Sequence, residues 1–517
     1  MTEPRRGRPR GNDVRTIGDA PLEIEDLVSL ARGQATAQLA SGARDRMKRS
    51  AEIVATRHGE GGEIYGVTTS VGGSVGTAVP ASRAAALSLN VLRMHGIGAG
   101  RMLDDEEAAA VLVARLSSLA RGQSGVRPEV AERLVELLTA RVLPQMPCEG
   151  SVGASGDLTP LSYLAAVVVG EREVRFGGAV RPAAEVLAEL RLLPLALGPK
   201  EALGLMNGTS VSTALACLCW ARAERLARMA STLSAMIARA IGGNPEHFDD
   251  RLHAAKPHPG QREVARRMAD ALAATPGLPA PLRLQDRYSV RCAPHVIGVL
   301  VDALRPAREA LETELNGVSD NPIVDLDSES ILHGGNFYGG HVAFACDGLK
   351  IAVANVACLV DRQLMLLCHP AENGGLPTDL VGVEGPEACA HNGFKAASIA
   401  ASSMAAEAQK QAIPASLFSR STELHNQDKV PMATTAARDL IRVLELAEQI
   451  VGIALLAACQ ALDLRGFALA GPIGALHGAV RAVAPRLVED RRMDLDLQAL
   501  LERLRDGGLD RGDRPLA

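Results

Sequence analysis

Aromatic residues and paired cysteines are scarce in this chain, and each shortage excludes a class of protein. Phe, Trp and Tyr make up 2% of the 517 residues, whereas 47% of the residues are hydrophobic. A core of Ala, Leu and Val suits helices better than a β-sandwich. The nine cysteines include no Cys-x-x-Cys pair, which argues against a disulfide framework and favours a reducing, cytoplasmic compartment.

The chain also lacks a large excess of charge of one sign and the residue spacings that are typical of metal sites. The 55 basic and 60 acidic residues are intermixed, so we expect no nucleic-acid binding. We expect no membrane-spanning segment, and residues 1–20 predict a flexible basic tail because they are rich in Arg, Pro and Gly without an apolar run. The histidines show no His-x-x-x-His spacing, so no metal is expected.

Helical spacing of apolar residues dominates what is present. It covers residues 22–58, 81–122 and 127–142, and continues in long patterns at 295–318, 339–368, 391–411 and 433–463. This predicts a mainly α protein with an elongated central helical bundle, together with a small hairpin at 174–180. After the tail at 1–20, we expect an N-terminal domain (21–205), a long-helix bundle (206–480), and a C-terminal helix with a frayed tail (481–517).

The tripeptide Ala154-Ser155-Gly156 lies in a glycine-rich stretch and is followed by Asp157. Glycines allow the backbone to turn tightly. If the Gly156 nitrogen reaches the Ala154 carbonyl carbon, a five-membered ring can close, and loss of water, including dehydration of Ser155, leaves a strong electrophile. The alternative is a loop that leads into a helix at Thr159-Pro160. The tripeptide by itself does not separate the two.

Tyrosines in polar loops form a second group of candidates. Tyr65 lies in a loop rich in Gly, Ser and Thr, and Tyr288 follows the polar residues Gln285-Asp286-Arg287, so neither lies in an apolar helix. On a helical turn, Tyr288 and Arg291 would share a face. Arg291 can then bind a carboxylate bidentately, or it can form a structural salt bridge.

Several loops are rich in side-chain amides and acids. They contain Asn207, Gln285, Asn336 and residues 423–428. Each loop suits a turn or a helix cap. Together they also suit a polar pocket for a zwitterion.

Residues 60–480 resemble the ammonia-lyases and 2,3-aminomutases of histidine and aromatic amino acids, which form a 4-methylideneimidazole-5-one (MIO) group from Ala-Ser-Gly. The matching stretches are Tyr65-Gly66-Val67-Thr68-Thr69, Gly150–Ser162, Asn207-Gly208-Thr209, Gln285-Asp286 with Tyr288-Ser289 and Arg291, Ser319-Asp320-Asn321-Pro322, Gly334-Gly335-Asn336-Phe337 and His425-Asn426-Gln427-Asp428. The resemblance implies a histidine ammonia-lyase-like fold whose N-terminal region carries an MIO group formed autocatalytically from Ala154-Ser155-Gly156. It also implies a homotetramer with shared active sites and a small amino acid as substrate.

The resemblance also implies roles for residues at matching positions. Tyr65 resembles the catalytic base on a mobile inner lid, Tyr288 is implied as a second catalytic tyrosine, and Arg291 resembles the carboxylate clamp. Asn207 is implied to contact the MIO group, and the substrate is implied to contact Arg291, Asn207, Gln285, Met94, His95, Asn336, Phe337, Glu423 and Gln427. Free tyrosine has a pKa of about 10, so we expect nearby positive charge or hydrogen bonds to lower the pKa of Tyr65.

Departures from the related enzymes bear on the lid and the substrate. Ser70-Val71-Gly72 stands where the family usually continues Gly-Phe-Gly, which affects the lid itself. Met94-His95 stands at the ring-selecting position, where histidine lyases commonly have Ser-His, tyrosine lyases His-Leu and phenylalanine lyases Phe-Leu. His95 can bond a phenol or an imidazole, or cap a helix near Gly96. Gln427 stands where histidine lyases have glutamate.

These residues favour elimination of ammonia from tyrosine or phenylalanine to give the α,β-unsaturated acid. An aromatic 2,3-aminomutase giving a β-amino acid and a histidine ammonia-lyase giving urocanate are alternatives within the same chemistry. An inactive helical scaffold that kept the fold is an alternative from another class.

Overall fold

Helices dominate the computed structural model, which describes residues 13–275, 277 and 281–509. The α-helices are α1 (Ile24–Ala31), α2 (Ser41–Gly59), α3 (Ala84–Met94), α4 (Asp105–Ala120), α5 (Pro128–Thr139), α6 (Leu158–Val168), α7 (Ala183–Glu189), α8 (Glu201–Met206), α9 (Ser210–Ile241), α10 (Asp250–Ala254), α11 (Pro259–Ala273), α12 (Tyr288–Arg291), α13 (Ala293–Asn316), α14 (Gly340–Cys368), α15 (Lys395–Gln411), α16 (Ala433–Arg465), α17 (Gly471–Arg481) and α18 (Asp494–Arg505). The mainly α fold predicted from the sequence is confirmed.

Short strands form small sheets between the helices. The strands are β1 (Val14–Ile17), β2 (Thr36–Leu39), β3 (Ala99–Met102), β4 (Leu143–Pro144), β5 (Pro147–Glu149), β6 (Glu173–Phe176), β7 (Ala179–Pro182), β8 (Ile323–Asp325) and β9 (Ser330–Leu332). β1 pairs with β2 in parallel, with Val14 opposite Thr36, and the other pairs are antiparallel: β3 with β5, β4 with β6, β6 with β7, and β8 with β9. The β6–β7 hairpin lies where the sequence predicts one.

The N-terminal region departs from the helical pattern predicted over residues 22–58. Gly33, with a φ of +68°, follows α1, and β2 separates α1 from α2. The tail predicted at 1–20 is wrong for residues 14–17, because these residues form β1 and Ile17 is fully buried. Residues 1–12 of that tail, and residues 510–517 of the predicted C-terminal tail, lie outside the described residues.

The chain divides into two compact units. Unit 1 comprises Met1–Ala221, Arg308–Asp347 and Pro414–Arg438, and unit 2 comprises Arg222–Ala307, Gly348–Ile413 and Asp439–Ala517. The chain passes from one unit to the other within α9, α13, α14 and α16, and once more between Ile413 and Pro414, after α15. The domain boundaries expected at residues 205 and 480 stay predictions.

The core of unit 1 is built around α4. Leu112, Leu116 and Leu119 of this helix are fully buried, and α4 packs against α1 and α5. Asp104 caps the helix in a reciprocal arrangement with Glu107: each side chain accepts from the other residue's backbone amide at 2.9 Å. This cap satisfies amides that the first helical turn leaves without partners.

Unit 2 is held by aliphatic contacts and a buried ion pair. Arg222 binds both carboxylate oxygens of Glu448 at 2.9 Å, and Glu448 is 2% exposed.

By length and composition the helix α14 would suffice to cross a membrane, but 72% of its most apolar stretch is buried. Such burial is typical of a core helix rather than a lipid-facing one.

Leu116→Ala tests the importance of the α4 core. We expect a loss of about 2–5 kcal/mol in the free energy of unfolding, because the substitution removes buried methyl groups and leaves a cavity. Thermal and denaturant unfolding would measure the change. Leu495→Ala, at a position 55% exposed, is the control and should unfold nearly like the unchanged protein. Equal stability of the two variants would contradict this account of the core.

Candidate active site

The turn between β5 and α6 contains Ala154-Ser155-Gly156 and has left-handed backbone angles. The φ angle is +53° at Ser155 and +74° at Gly156. A serine seldom adopts this region because its Cβ crowds the backbone, so the turn is strained at Ser155. The tight turn predicted from the glycine-rich sequence is therefore present.

Gly156 lies against the loop that follows α8. A Cβ added at Gly156 would come within 2.1 Å of the Gly208 oxygen, so another residue would not fit here. The Asp157 amide donates to the same oxygen at 2.7 Å, and Gly156 and Gly208 form an isolated parallel bridge. Residues 207–209 are therefore held directly against the tripeptide.

Asp157 is fully buried next to the tripeptide. Its carboxylate accepts hydrogen bonds from the Ser212 amide at 2.8 Å, the Ser212 hydroxyl at 3.0 Å, the Ser151 hydroxyl at 3.3 Å and the Thr434 hydroxyl. Burial raises the pKa of Asp157, and these hydrogen bonds oppose the rise. Asp157 is a functional residue that the sequence motifs do not single out, although its position directly after Gly156 is a signal.

A cavity of about 320 Å³ lies beside the tripeptide. The predicted site residues that line it are Tyr65, Met94, His95, Ala154, Ser155, Gly156, Asn207, Glu423 and Gln427. All of them belong to unit 1. They lie far apart in the sequence, so the folding of this unit brings them together.

The remaining predicted site residues are not among those that line this cavity. Asn336 and Phe337 follow β9 in unit 1, and the Asn336 side-chain amide donates to the Val318 oxygen at 2.7 Å. Gln285 and α12 belong to unit 2. Most of the predicted site residues therefore line the cavity, whereas Gln285, Tyr288, Arg291, Asn336 and Phe337 do not.

Within α12, Tyr288 and Arg291 meet on one face, as their spacing predicts. The Arg291 guanidinium carbon lies 4.7 Å from the centre of the Tyr288 ring, a cation–π arrangement. Tyr288 is 72% exposed. Across the residues that the structure describes, Arg291 forms no ion pair, so the alternative of a structural salt bridge finds no partner there.

Tyr65 begins the lid segment, defined here as residues 65–73. Its hydroxyl accepts a hydrogen bond from the Gly72 amide at 2.7 Å. Burial raises the pKa of Tyr65, the Gly72 hydrogen bond lowers it, and the negative charge of Glu423 raises it further. The net direction is upward, so the expected lowering of this pKa is wrong for the single chain, because burial outweighs the hydrogen bond.

Glu423 joins the lid segment to the loop at 422–427. Its Oε1 accepts from the Gly73 amide at 3.0 Å, and a Cβ added at Gly72 would lie 1.4 Å from the same oxygen. Gly72 also has a φ of +59°, so a side chain here would strain the backbone and displace the Glu423 carboxylate. The departure at Ser70-Val71 leaves this packing in place, and Val71 itself lines the cavity.

His95 follows α3 and lines the cavity beside Met94. Its Nδ1 lies 2.8 Å from the Val91 oxygen. A carbonyl oxygen can only accept, so Nδ1 carries the hydrogen and Nε2 of the neutral ring is an acceptor. His95 thus caps the helix end and keeps one nitrogen for another partner.

Gln427 is paired with Thr422 across the loop of Glu423. The Thr422 and Gln427 backbones exchange hydrogen bonds at 3.0 and 3.3 Å, and the Thr422 hydroxyl donates to Gln427 Oε1 at 2.7 Å. The side-chain oxygen is therefore engaged within the loop. The residue brings a neutral amide to the cavity where a glutamate would bring a charge.

Asn207 follows α8 and belongs to a buried network of polar side chains that no sequence pattern predicts. Its Nδ2 donates to Asp320 Oδ1 at 3.2 Å and to the Asn321 oxygen at 2.8 Å. Lys200 Nζ lies 2.8 Å from Asp320 Oδ2, and both charged side chains are fully buried. Burial lowers the pKa of Lys200, which Asp320 opposes. Asp320 lies in a matching stretch, whereas no sequence signal marked Lys200.

Phenol, amide and carboxylate groups surround the strained turn. This set suits proton transfer and hydrogen bonding to a small polar molecule. In the part of the chain that the structure describes, no three His, Cys, Asp or Glu side chains are grouped so as to hold a metal ion.

Known proteins are similar to this one along nearly the whole chain. The family model for aromatic amino acid lyase matches residues 22–483. The histidine ammonia-lyase of Gloeobacter violaceus is 38% identical over 506 residues, covering 96% of this chain and 97% of that protein.

Solved structures share the fold. Tyrosine aminomutase from Streptomyces globisporus has a TM-score of 0.90 and 33% identity, covering 97% of this chain and 99% of its own. Histidine ammonia-lyase from Trypanosoma cruzi has a TM-score of 0.87 and 32% identity, covering 96% and 94%. The resemblance drawn from the motifs is confirmed, and the chain belongs to the aromatic amino acid lyase family and is an enzyme of the ammonia-lyase type.

Proposed function

We propose that this enzyme eliminates ammonia from an aromatic L-amino acid and releases the α,β-unsaturated acid. The observation that carries the proposal is that Tyr65, the Ala154-Ser155-Gly156 turn and Asn207 line one cavity. The β-hydrogen of an amino acid is barely acidic, so its removal needs a positioned base and assistance to the leaving amine.

We propose that Ala154-Ser155-Gly156 forms the MIO group. The left-handed angles at Ser155 and Gly156 bend the chain tightly at the atoms concerned. A Cβ at Gly156 would meet the Gly208 oxygen at 2.1 Å, so the residue whose nitrogen would close the ring is one that carries no side chain beside it. When formed, the group supplies an electrophile that no ordinary side chain provides.

Each side chain of the proposed site then has its own role in the reaction. Tyr65, as phenolate, takes the β-hydrogen onto its oxygen, and the Gly72 amide that donates to this oxygen stabilises the phenolate. Arg291 binds the carboxylate, with Tyr288 as a second catalytic tyrosine. The residues proposed to contact the amino acid are Gln285, Asn336, Phe337, Met94, His95, Glu423 and Gln427. Closure of the lid segment would exclude water.

The ring-recognising residues favour tyrosine. Nε2 of His95 is an acceptor when Nδ1 donates to Val91, and a phenol hydroxyl can donate to it whereas a phenyl ring cannot. An imidazole also carries a donor, but Gln427 offers an amide in place of the glutamate of histidine lyases. Tyrosine, then phenylalanine, are therefore the proposed substrates.

Histidine ammonia-lyase activity is the second candidate. The observation that favours it is the 36–38% identity to histidine ammonia-lyases of two bacteria. A 2,3-aminomutase outcome also stays open, since the solved tyrosine aminomutase shares the fold. The identity of the product separates the three: an unsaturated acid, urocanate or a β-amino acid.

We propose that the enzyme works as a cytoplasmic homotetramer with active sites shared between subunits. The proposal of a homotetramer rests on the resemblance to the related lyases and aminomutases, and the large apolar side chains of Phe344 and Leu424, 79% and 86% exposed, are available for contact with another copy. The proposed partner is a small amino acid, with no nucleic acid or membrane involved.

Ser155→Ala tests the central proposal. We expect the unchanged protein to weigh two water molecules less than its sequence, and Ser155→Ala to show neither that deficit nor turnover. Intact mass spectrometry measures the first, and ultraviolet absorbance with ammonia release measures turnover of L-tyrosine, L-phenylalanine and L-histidine. Ser70→Ala, outside the tripeptide, is the control and should keep the deficit. A full-weight unchanged protein, or no turnover of any of the three, would refute the proposal.

Glu423→Gln tests the environment of the base. The variant keeps an acceptor for the Gly73 amide but removes the charge that raises the pKa of Tyr65. A base acts only when deprotonated, so the rising limb of the kcat profile should move to lower pH. Initial rates across neutral and alkaline pH would show the shift. Glu60→Gln, at an exposed position, should leave the limb in place, and a shift to higher pH in Glu423→Gln would contradict the assignment.

His95→Leu tests the choice of ring. Without the Nε2 acceptor, we expect kcat/KM for L-tyrosine to fall about 10- to 100-fold more than for L-phenylalanine. Met94→Leu alters the neighbouring side chain without removing a hydrogen-bonding nitrogen and should affect both substrates alike. An equal loss for both substrates in His95→Leu would show that His95 serves only the helix end.

A further inference from the structure

Asp320 is a fully buried carboxylate to which the proposed reaction assigns no role. Its Oδ2 lies 2.8 Å from Lys200 Nζ. Its Oδ1 accepts from the Asn321 amide at 2.7 Å and from Asn207 Nδ2 at 3.2 Å. A buried carboxylate is costly unless a cation and hydrogen bonds compensate it, and breaking such a set is strongly destabilising. This one is compensated at both oxygens.

The carboxylate ties together the two ends of α8. Lys200, with a φ of +71°, directly precedes the helix, and Asn207 directly follows it. The fully buried Arg115 also holds the end of the helix, because its NH1 donates to the Asn207 backbone oxygen at 3.3 Å. Asn207 therefore has both its backbone and its side chain fixed.

The contacts determine which way the Asn207 amide faces. An amide nitrogen has two hydrogens, and here the Asp320 carboxylate and the Asn321 carbonyl accept them. A reversed amide would place Oδ1 against two oxygens that have no hydrogen to donate. Oδ1 is thus the free atom, and it is buried without a partner in the described chain.

We infer that Asp320, with its charge balanced by Lys200, is a positioning residue that holds the Asn207 amide with Oδ1 toward the cavity, as the acceptor for the amino group of the bound amino acid. The inference rests on the proposed function, which supplies the amino acid. Oδ1 needs a donor; the substrate amine carries N–H groups, whereas the substrate carboxylate carries none.

Two double variants separate orientation from stability. Lys200→Met with Asp320→Asn removes both charges but keeps an oxygen that can accept from Asn207. Lys200→Met with Asp320→Leu removes both charges and the acceptor. Both variants remove the same two charges, and both leave the buried Arg115 without the Asp320 charge that favours its cationic form, so any resulting loss of stability is common to the two. Melting temperature and intact mass, with its two-water deficit, verify that the two proteins are comparable.

We expect kcat/KM of the leucine variant to lie about 100-fold below that of the asparagine variant, because a misplaced amide no longer meets the amine. Asn207→Ala added to each double variant should abolish this difference, since Asp320 acts through Asn207. Equal kcat/KM in the two double variants, or a difference that survives Asn207→Ala, would overturn the inference.

Binding gives a readout that does not need turnover. With Ser155→Ala added to both double variants, calorimetry compares L-tyrosine with 3-(4-hydroxyphenyl)propanoate, which lacks the amine. The leucine variant should bind L-tyrosine about 10-fold more weakly than the asparagine variant, with the analogue unaffected. Equal weakening for both ligands would overturn the role of the amine.

The two proposals fail in different ways. If the unchanged enzyme converts none of the three amino acids, the proposed function fails. A crystal structure of the leucine variant still tests the positioning role: an Asn207 amide that has turned or become disordered supports it, and an amide in its original orientation overturns it. If the unchanged enzyme is active and the double variants match, only the inference fails.

Discussion

Gly156 and Gly208 approach so closely that no side chain fits between them, and the site depends on this contact. A Cβ at Gly156 would reach the Gly208 oxygen at 2.1 Å, and the Asp157 amide donates to that oxygen. The contact fixes Asn207 against the tripeptide, while Asp157 ties the turn to Ser212 and Thr434. Backbone packing at glycine thus brings the proposed electrophile and the amide beside it to one place.

Buried charge is the second constraint. The Lys200–Asp320 pair contacts Asn207 through a hydrogen bond to Asp320, and Glu423 accepts a hydrogen bond from the Gly73 amide of the lid segment. These groups act in opposite ways on the proposed chemistry: the pair fixes a neutral amide, whereas Glu423 raises the pKa of Tyr65. A phenol in this state needs hydrogen bonds or positive charge to ionise, and within the described chain the Gly72 amide lowers its pKa.

Long apolar periodicity made the helices predictable, and α13, α14 and α16 lie where it indicated. Short elements were not predictable in the same way. β1 and β2 are parallel neighbours across a helix, and pairing between distant segments leaves no local pattern. The pKa of Tyr65 was predicted in the wrong direction, because burial and the neighbourhood of Glu423 arise only on folding.

The sequence by itself determined the family and the residues on which the proposed chemistry depends. Ala154-Ser155-Gly156, Tyr65 and Arg291 are recognisable because their types and order are specific. Tertiary structure decided which of them share a cavity, which nitrogen of His95 is the acceptor, and which atom of Asn207 is free. The physical reason is that hydrogen-bond partners far apart in the chain meet only in the folded unit, and those partners determine the direction in which each polar atom acts.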